Sequence, residues 1–239
     1  MKTAVSYLIQ SQQAHPALAQ ANPPHGWLSR SEREKFDSLK TDKRRRDWLL
    51  GRWTAKRLLQ ETVRQQGGLL IPLDQFVVDN VASGAPTVAC RSAGDNGHWS
   101  LAISHSQGHA FCAVRSGQAA IGADMERIEP RLPGFAAAYF TDAEQERITL
   151  HASRFTYHSL VTAVWSAKEA VLKALQLGLR VDTRAVTCLL EVPDQAANEA
   201  AADDWRPFTI HLDAQRLPQT PYLQGWWRLA DGFALTVAQ

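Results

Sequence analysis

Cysteine is scarce in this chain: Cys90, Cys112 and Cys188 are scattered and form no C-x-x-C pair. Neither a disulfide framework nor a cysteine zinc site is suggested, and a reducing cytosol fits. Long apolar runs are missing too, so nothing approaches the roughly 20 residues of a membrane span. The opening MKTAVSYLIQ has one lysine and an apolar patch broken by Ser6. That patch is too short for the apolar core of a signal peptide and reads as a first β-strand. A surplus of one charge is also lacking. The 26 Lys and Arg face 24 Asp and Glu, a net charge of +2, which argues against a dedicated nucleic-acid binder on composition alone. What is present is core material: 45% hydrophobic and 21% charged residues over 239 positions, enough for one large domain or two small ones. The expectation is a soluble, cytoplasmic protein. Its charge is unevenly spread, with eight Lys or Arg between Lys40 and Arg57 against Asp42 and Asp47.

The chain repeats itself. Leu28-Ser29-Arg30-Ser31-Glu32-Arg33-Glu34 resembles Phe140-Thr141-Asp142-Ala143-Glu144-Gln145-Glu146. Each places a hydroxyl three residues before a glutamate, the pattern of a helix capping box. Trp48-x3-Arg52-x3-Lys56-x-Leu58 echoes Trp165-x3-Glu169-x3-Lys173-x-Leu175 at an offset of 117, and both segments have helical apolar spacing. A strand-like echo pairs Gly108-x-Ala110-Phe111 with Gly232-x-Ala234-Leu235. Three echoes in one order favour duplication. The fold class read from this is α+β, with two similar lobes at 1–116 and 117–239 joined near Arg115-Ser116-Gly117-Gln118. In this alignment Arg52 of one lobe stands where Glu169 stands in the other, so one lobe would grip phosphates and the other a metal.

The chemistry centres on Trp99–Glu126. Turn residues at Ser106–His109 and Ser116–Gln118 read as a three-strand meander. In a meander the ends of the first and third strands lie together, which would bring His105 to Asp124 and Glu126. Side chains alternate along a strand, so Asp124 and Glu126 share a face. Paired carboxylates repel unless a cation lies between them, and oxygen ligands favour a hard ion such as Mg2+. The plain alternative is a solvated strand end. Glu169 and Lys173 are neighbours at i and i+4; alone they make an ordinary surface pair. His105, between Ser104 and Ser106, is either a turn histidine or a phosphate contact. The basic run is either a solvated helix start or a nucleic-acid patch.

Together, Ile121-Gly122-Ala123-Asp124-Met125-Glu126 and Trp165-Ser166-Ala167-Lys168-Glu169-Ala170-Val171-Leu172-Lys173-Ala174 resemble the two signature blocks of 4′-phosphopantetheinyl transferases. The length, the two lobes and the upstream Ile103-Ser104-His105-Ser106 look like the surfactin-synthetase-activating (Sfp) type, in which one chain forms a pseudo-dimer. The resemblance implies a Mg2+-dependent, monomeric enzyme that moves the 4′-phosphopantetheine arm of coenzyme A to a serine of an apo acyl or peptidyl carrier protein. Adenosine 3′,5′-bisphosphate is then released. It makes Asp124, Glu126 and Glu169 the metal ligands, Glu169 the general base, and Lys173 the group at the pyrophosphate. It places Arg45, Arg46, Arg52, Ser104, His105, Lys168 and Lys173 at coenzyme A. One departure stands out: Gly84-Ala85-Pro86 replaces the family's Gly-Lys-Pro, removing a cation. Two alternatives are a nucleic-acid module on residues 40–57 and a non-catalytic coenzyme A or carrier scaffold. The Ala-, Asp- and Glu-rich stretch Pro193–Pro207 reads as a loose insertion with no assigned role.

Overall fold

Ile121 ends one unit of the chain and Gly122 begins the next. The computed structural model describes residues 5–92, 98–192 and 205–239. In the first unit, β1 (Val5–Ser11) leads through α1 (Pro16–Ala19) and α2 (Arg30–Asp37) to the long α3 (Asp42–Gln65). The hairpin β2 (Phe76–Asn80) and β3 (Pro86–Cys90) follows, then the hairpin β4 (Trp99–Ser106) and β5 (His109–Ser116). The main sheet is antiparallel in the order β1-β5-β4, and β2-β3 stands as its own ladder. The expected first strand at the N-terminus is therefore present, paired along β5.

Local chemistry sets the helix boundaries. The Ser29 amide donates to Glu32 Oε2 at 2.8 Å and the Glu32 amide donates to Ser29 Oγ at 3.3 Å, which completes the capping box and starts α2. Thr41 Oγ1 accepts from the Arg44 amide to start α3. On α3, Ala55, Leu58 and Leu59 face Phe76, Leu101, Cys112 and Val114, while Leu49 and Leu50 close on Leu18, Trp27 and Phe36. Each fully buried leucine contributes about 1.5–3 kcal/mol of apolar transfer energy. Gly51 is required by the close packing of α3 on β4: a Cβ there would collide with the imidazole of His105.

The second unit repeats this plan. Its elements are β6 (Gly122–Arg127), α4 (Phe135–Tyr139), α5 (Asp142–His151), the long α6 (Tyr157–Ala174), β7 (Val186–Leu190), β8 (Arg206–Leu212), β9 (Gly225–Ala230) and β10 (Phe233–Ala238). One five-stranded antiparallel sheet runs β6-β10-β9-β8-β7. A second capping box, Thr141 with Glu144, starts α5. The β4–β5 and β9–β10 hairpins share a turn: Gln107-Gly108 (φ 46 and 72°) and Asp231-Gly232 (φ 51 and 75°). Positive φ at both central residues is the type I′ geometry that suits a right-twisted ribbon. No helix among the described residues is long and apolar enough to cross a membrane. Residues 193–204 of the acidic stretch lie outside the described residues, and Arg206 opens β8.

A buried ion pair fixes the register between the copies. In the first unit Lys56 Nζ meets Glu32 Oε2 at 2.5 Å and also donates to Trp27 O, while Glu32 Oε1 accepts from the Val78 amide. In the second, Lys168 Nζ meets Glu144 Oε2 at 2.8 Å and donates to the carbonyls of Thr183 and Val186. Glu144 Oε1 accepts from the Cys188 amide. Glutamate and lysine are each displaced by 112 positions between copies, the same displacement as the capping boxes.

Two expectations change as a result. The offset of 117 inferred from Trp48 and Trp165 is replaced by 112, so Trp53 is the counterpart of Trp165, and Arg57, not Arg52, stands where Glu169 stands. The meander also stops at β5. After Ser116 the chain leaves that sheet, and β6 pairs with β10 in the other unit. The inferred closeness of His105 to Asp124 and Glu126 therefore loses its basis, because it depended on one continuous sheet.

Candidate active site

The acidic site is built within the second unit on the face of the sheet that α6 covers. Directly opposite residues of an antiparallel pair share a face, and Thr236 lies opposite Asp124 while Ala234 lies opposite Glu126. Ser166 Oγ of α6 bonds Thr236 Oγ1 at 2.9 Å, which marks this face as the helix side. Gly122 makes the approach possible, since a Cβ there would overlap the carbonyl oxygen of Ala170. Asp124 and Glu126 thus project toward the helix that carries Glu169 and Lys173.

Each strand carboxylate is held by a cation. Lys173 Nζ donates to Asp124 Oδ1 at 2.6 Å and to Ala123 O at 3.2 Å. Arg131 reaches Glu126 Oε2 at 3.0 Å. Asp124 is buried, whereas Glu126 and Glu169 are half-buried. Burial, then the charge of Asp124, raises the Glu126 carboxyl above its ordinary range, against hydrogen bonds from Arg131 and Trp165. The Glu169 carboxyl is raised for the same two reasons, opposed by Lys173 and reinforced by Glu126. The three carboxylates therefore form one electrostatic group.

No trio of His, Cys, Asp or Glu among the described residues is drawn together into a ready-made metal cage; the acids close on Lys173 and Arg131. Their chemistry nonetheless fits a hard dication. All the donors are oxygen, and the elevation of Glu126 and Glu169 by burial and by the charge of Asp124 is what a positive ion would relieve. Mg2+ needs only one or two carboxylates besides waters and substrate phosphates.

The first unit lacks this set. Through the ladders and the shared turn, Leu8 and Gln10 of β1 stand in the places of Asp124 and Glu126. Gln10 accepts from Thr54, the counterpart of Ser166. Arg57 and Glu61 stand in the places of Glu169 and Lys173, with the signs reversed.

The remaining expected site residues divide. His105 is exposed at the end of β4 and packs against Gly51, next in sequence to Arg52, while Ser104 is buried. Arg52 is only 6% exposed; its NH2 donates to Asn80 Oδ1 at 2.6 Å and its guanidinium lies 5.0 Å from the Trp48 ring. Asn80 in turn donates to Gly84 O at 2.7 Å, tying Arg52 to the turn that carries Ala85. Arg45 donates to Leu39 O and stacks over Phe36, and Arg46 is half-buried on the same helix. Lys168, expected at coenzyme A, is fully buried, paired with Glu144 and bonded to the carbonyls of Thr183 and Val186. Burial of Arg52 and Lys56 also removes two cations from the basic run as a solvent-facing patch. Sequence reasoning missed Arg131 and Asn80, both in or beside irregular segments where periodicity is silent.

Comparison with known proteins adds one family. Residues 120–238 match the family described as the 4′-phosphopantetheinyl transferase superfamily, which spans nearly all of the second unit. No curated protein matches the chain. Among solved structures, a holo-(acyl-carrier-protein) synthase from Bacillus anthracis strain Ames, in complex with CoA (3′,5′-ADP), is similar at 20% identity and a TM-score of 0.38, covering 46% of this chain and 92% of that one. A holo-ACP synthase from Plasmodium yoelii is similar at 13% identity and a TM-score of 0.35, covering 46% and 91%. The ACPS–CoA complex of Chronobacterium ammoniagenes is similar at 20% identity and a TM-score of 0.37, covering 48% and 98%.

Proposed function

We propose that this protein transfers the 4′-phosphopantetheine arm of coenzyme A to a serine hydroxyl of an apo acyl or peptidyl carrier protein, releasing adenosine 3′,5′-bisphosphate. One observation carries the reading: within the segment that matches the superfamily, Asp124, Glu126 and Glu169 form a coupled acidic group beside Lys173. The duplicated plan, with one copy stripped of its acids, supports the surfactin-synthetase-activating type.

Asp124, Glu126 and Glu169 would hold Mg2+, which when bound neutralises charge on the pyrophosphate and on the departing phosphate. Glu169 is suited to take the serine proton, because its raised pKa brings its basicity closer to working pH. The serine oxygen attacks the phosphorus nearer the pantetheine. The bond from that phosphorus to the bridging oxygen breaks, and adenosine 3′,5′-bisphosphate leaves with the electron pair. Lys173, half-exposed at the mouth of the site, offers its ammonium to that charge. Arg45, Arg46, Arg52, Ser104 and His105 of the first unit serve the phosphates of coenzyme A in this reading.

The test is incubation with coenzyme A, Mg2+ and a panel of apo carriers, read by intact mass. A phosphopantetheine mass gain on the carrier serine is expected, lost in Glu169→Gln with the fold intact. Failure to modify any carrier, or full activity in that variant, overturns the assignment of transfer or of Glu169 respectively.

A further inference from the structure

We propose that Arg131 is a resident counter-ion for Glu126 that competes with a divalent cation and thereby sets the metal affinity of the site. The proposal rests on the reading of Asp124, Glu126 and Glu169 as metal ligands. Arg131 lies between β6 and α4, outside both signature blocks, and bonds a single carboxylate oxygen, Glu126 Oε2, at 3.0 Å. Its Nε has no hydrogen-bond partner among the described residues, so the grip is one-pronged, not the bidentate fork of a structural clamp. The guanidinium lies 5.4 Å from the Phe135 ring, which gives it a resting place at the rim.

The contrast with Lys173 is informative. Lys173 is carried by a helix, one turn from Glu169, and is also anchored on Ala123 O. Arg131 sits in the irregular segment between β6 and α4, held by its single bond to Glu126 and its contact with Phe135. Glu126 is placed by the β6–β10 ladder opposite Ala234 whether or not Arg131 is bonded to it, so what departs with Arg131 is mainly positive charge. A cation bound to the same carboxylate would repel the guanidinium, so occupancy by one disfavours the other.

A supporting role makes the opposite prediction. If Arg131 served chiefly to orient Glu126 as a ligand, its removal would weaken metal binding, as loss of outer-shell partners does. Mn2+ titration followed by electron paramagnetic resonance, on the full chain without coenzyme A or carrier, separates the two. Arg131→Gln is expected to bind Mn2+ on the order of tenfold more tightly, from removing one nearby positive charge. Arg131→Met should shift the same way, Arg131→Lys should stay near the parent, and raising the salt should narrow the gap. Equal or weaker binding in both uncharged variants overturns the proposal alone. If the parent shows no Mn2+ binding that Glu126→Gln removes, the metal-site reading fails and this inference fails with it.

Discussion

Replacing Lys168 with methionine preserves most of the side-chain length while removing one charge from a site with no solvent access on either partner. Glu144 would keep three donors, the amides of Thr141 and Cys188, both at 2.7 Å, and the Thr141 hydroxyl at 3.1 Å. It would lose the one opposite charge bonded to it among the described residues, and the carbonyls of Thr183 and Val186 would lose their ammonium donor. Breaking a buried pair from one side typically costs about 3–5 kcal/mol. Urea unfolding is the assay: with a slope of about 2 kcal/mol per M, the midpoint should fall by roughly 2 M. Hydrogen exchange should place the loss in the second unit. The double variant Lys168→Met/Glu144→Gln leaves no charge stranded, so it should lose less than the sum of the singles, with a coupling of about 1–3 kcal/mol. Lys56→Met should do the same to the first unit, where Glu32 is equally buried. A loss under about 1 kcal/mol, or additive singles, would refute the idea that these pairs lock the two copies.

Three further outcomes are expected. Asp124→Asn should abolish transfer and Mn2+ binding while costing only about 1–3 kcal/mol of stability, because Lys173 is half-exposed and can turn to water; circular dichroism and the metal titration check both parts. Because the folded-state carboxyls of Glu126 and Glu169 are raised, their stabilising contribution is present at acidic pH and is lost as pH rises through those values, so Mg2+ should raise the melting temperature more at pH 8 than at pH 5; equal shifts would count against the coupled acid group. Gly122→Ala should push α6 off the sheet and cost at least about 1–3 kcal/mol by overpacking, read from its melting temperature.

Some of this was legible from residue types alone. Both capping boxes, both long helices, the N-terminal strand and the shared hairpin turn follow from local rules that act over a few positions. The helix register was not, because Trp48 and Trp165 offer a tempting match at the wrong spacing. What decides the alignment is a lysine bonded to a glutamate 24 positions earlier, and in sequence both look like surface charges. The break after β5 was hidden for a similar reason. Ser116-Gly117-Gln118 is turn-like and the following residues strand-like, yet no local rule says which sheet a strand will join. The acids were legible as a pair on one face; their clamping by Lys173 and Arg131 was not, since it depends on how α6 and a loop pack around β6.

The twin ion pairs also act as mileposts along the chain. Counterpart residues lie 112 apart at the glutamates and lysines, and 110 apart at the amides of Val78 and Cys188 that bind those glutamates. At the turn glycines Gly108 and Gly232 the separation has grown to 124. The second copy has therefore gained its extra length after β7 and before β10, a stretch that contains the acidic segment. Between each glutamate and its lysine the count has not changed at all. Length has drifted between strands, and it has stayed fixed where one residue more would pull a buried charge from its partner.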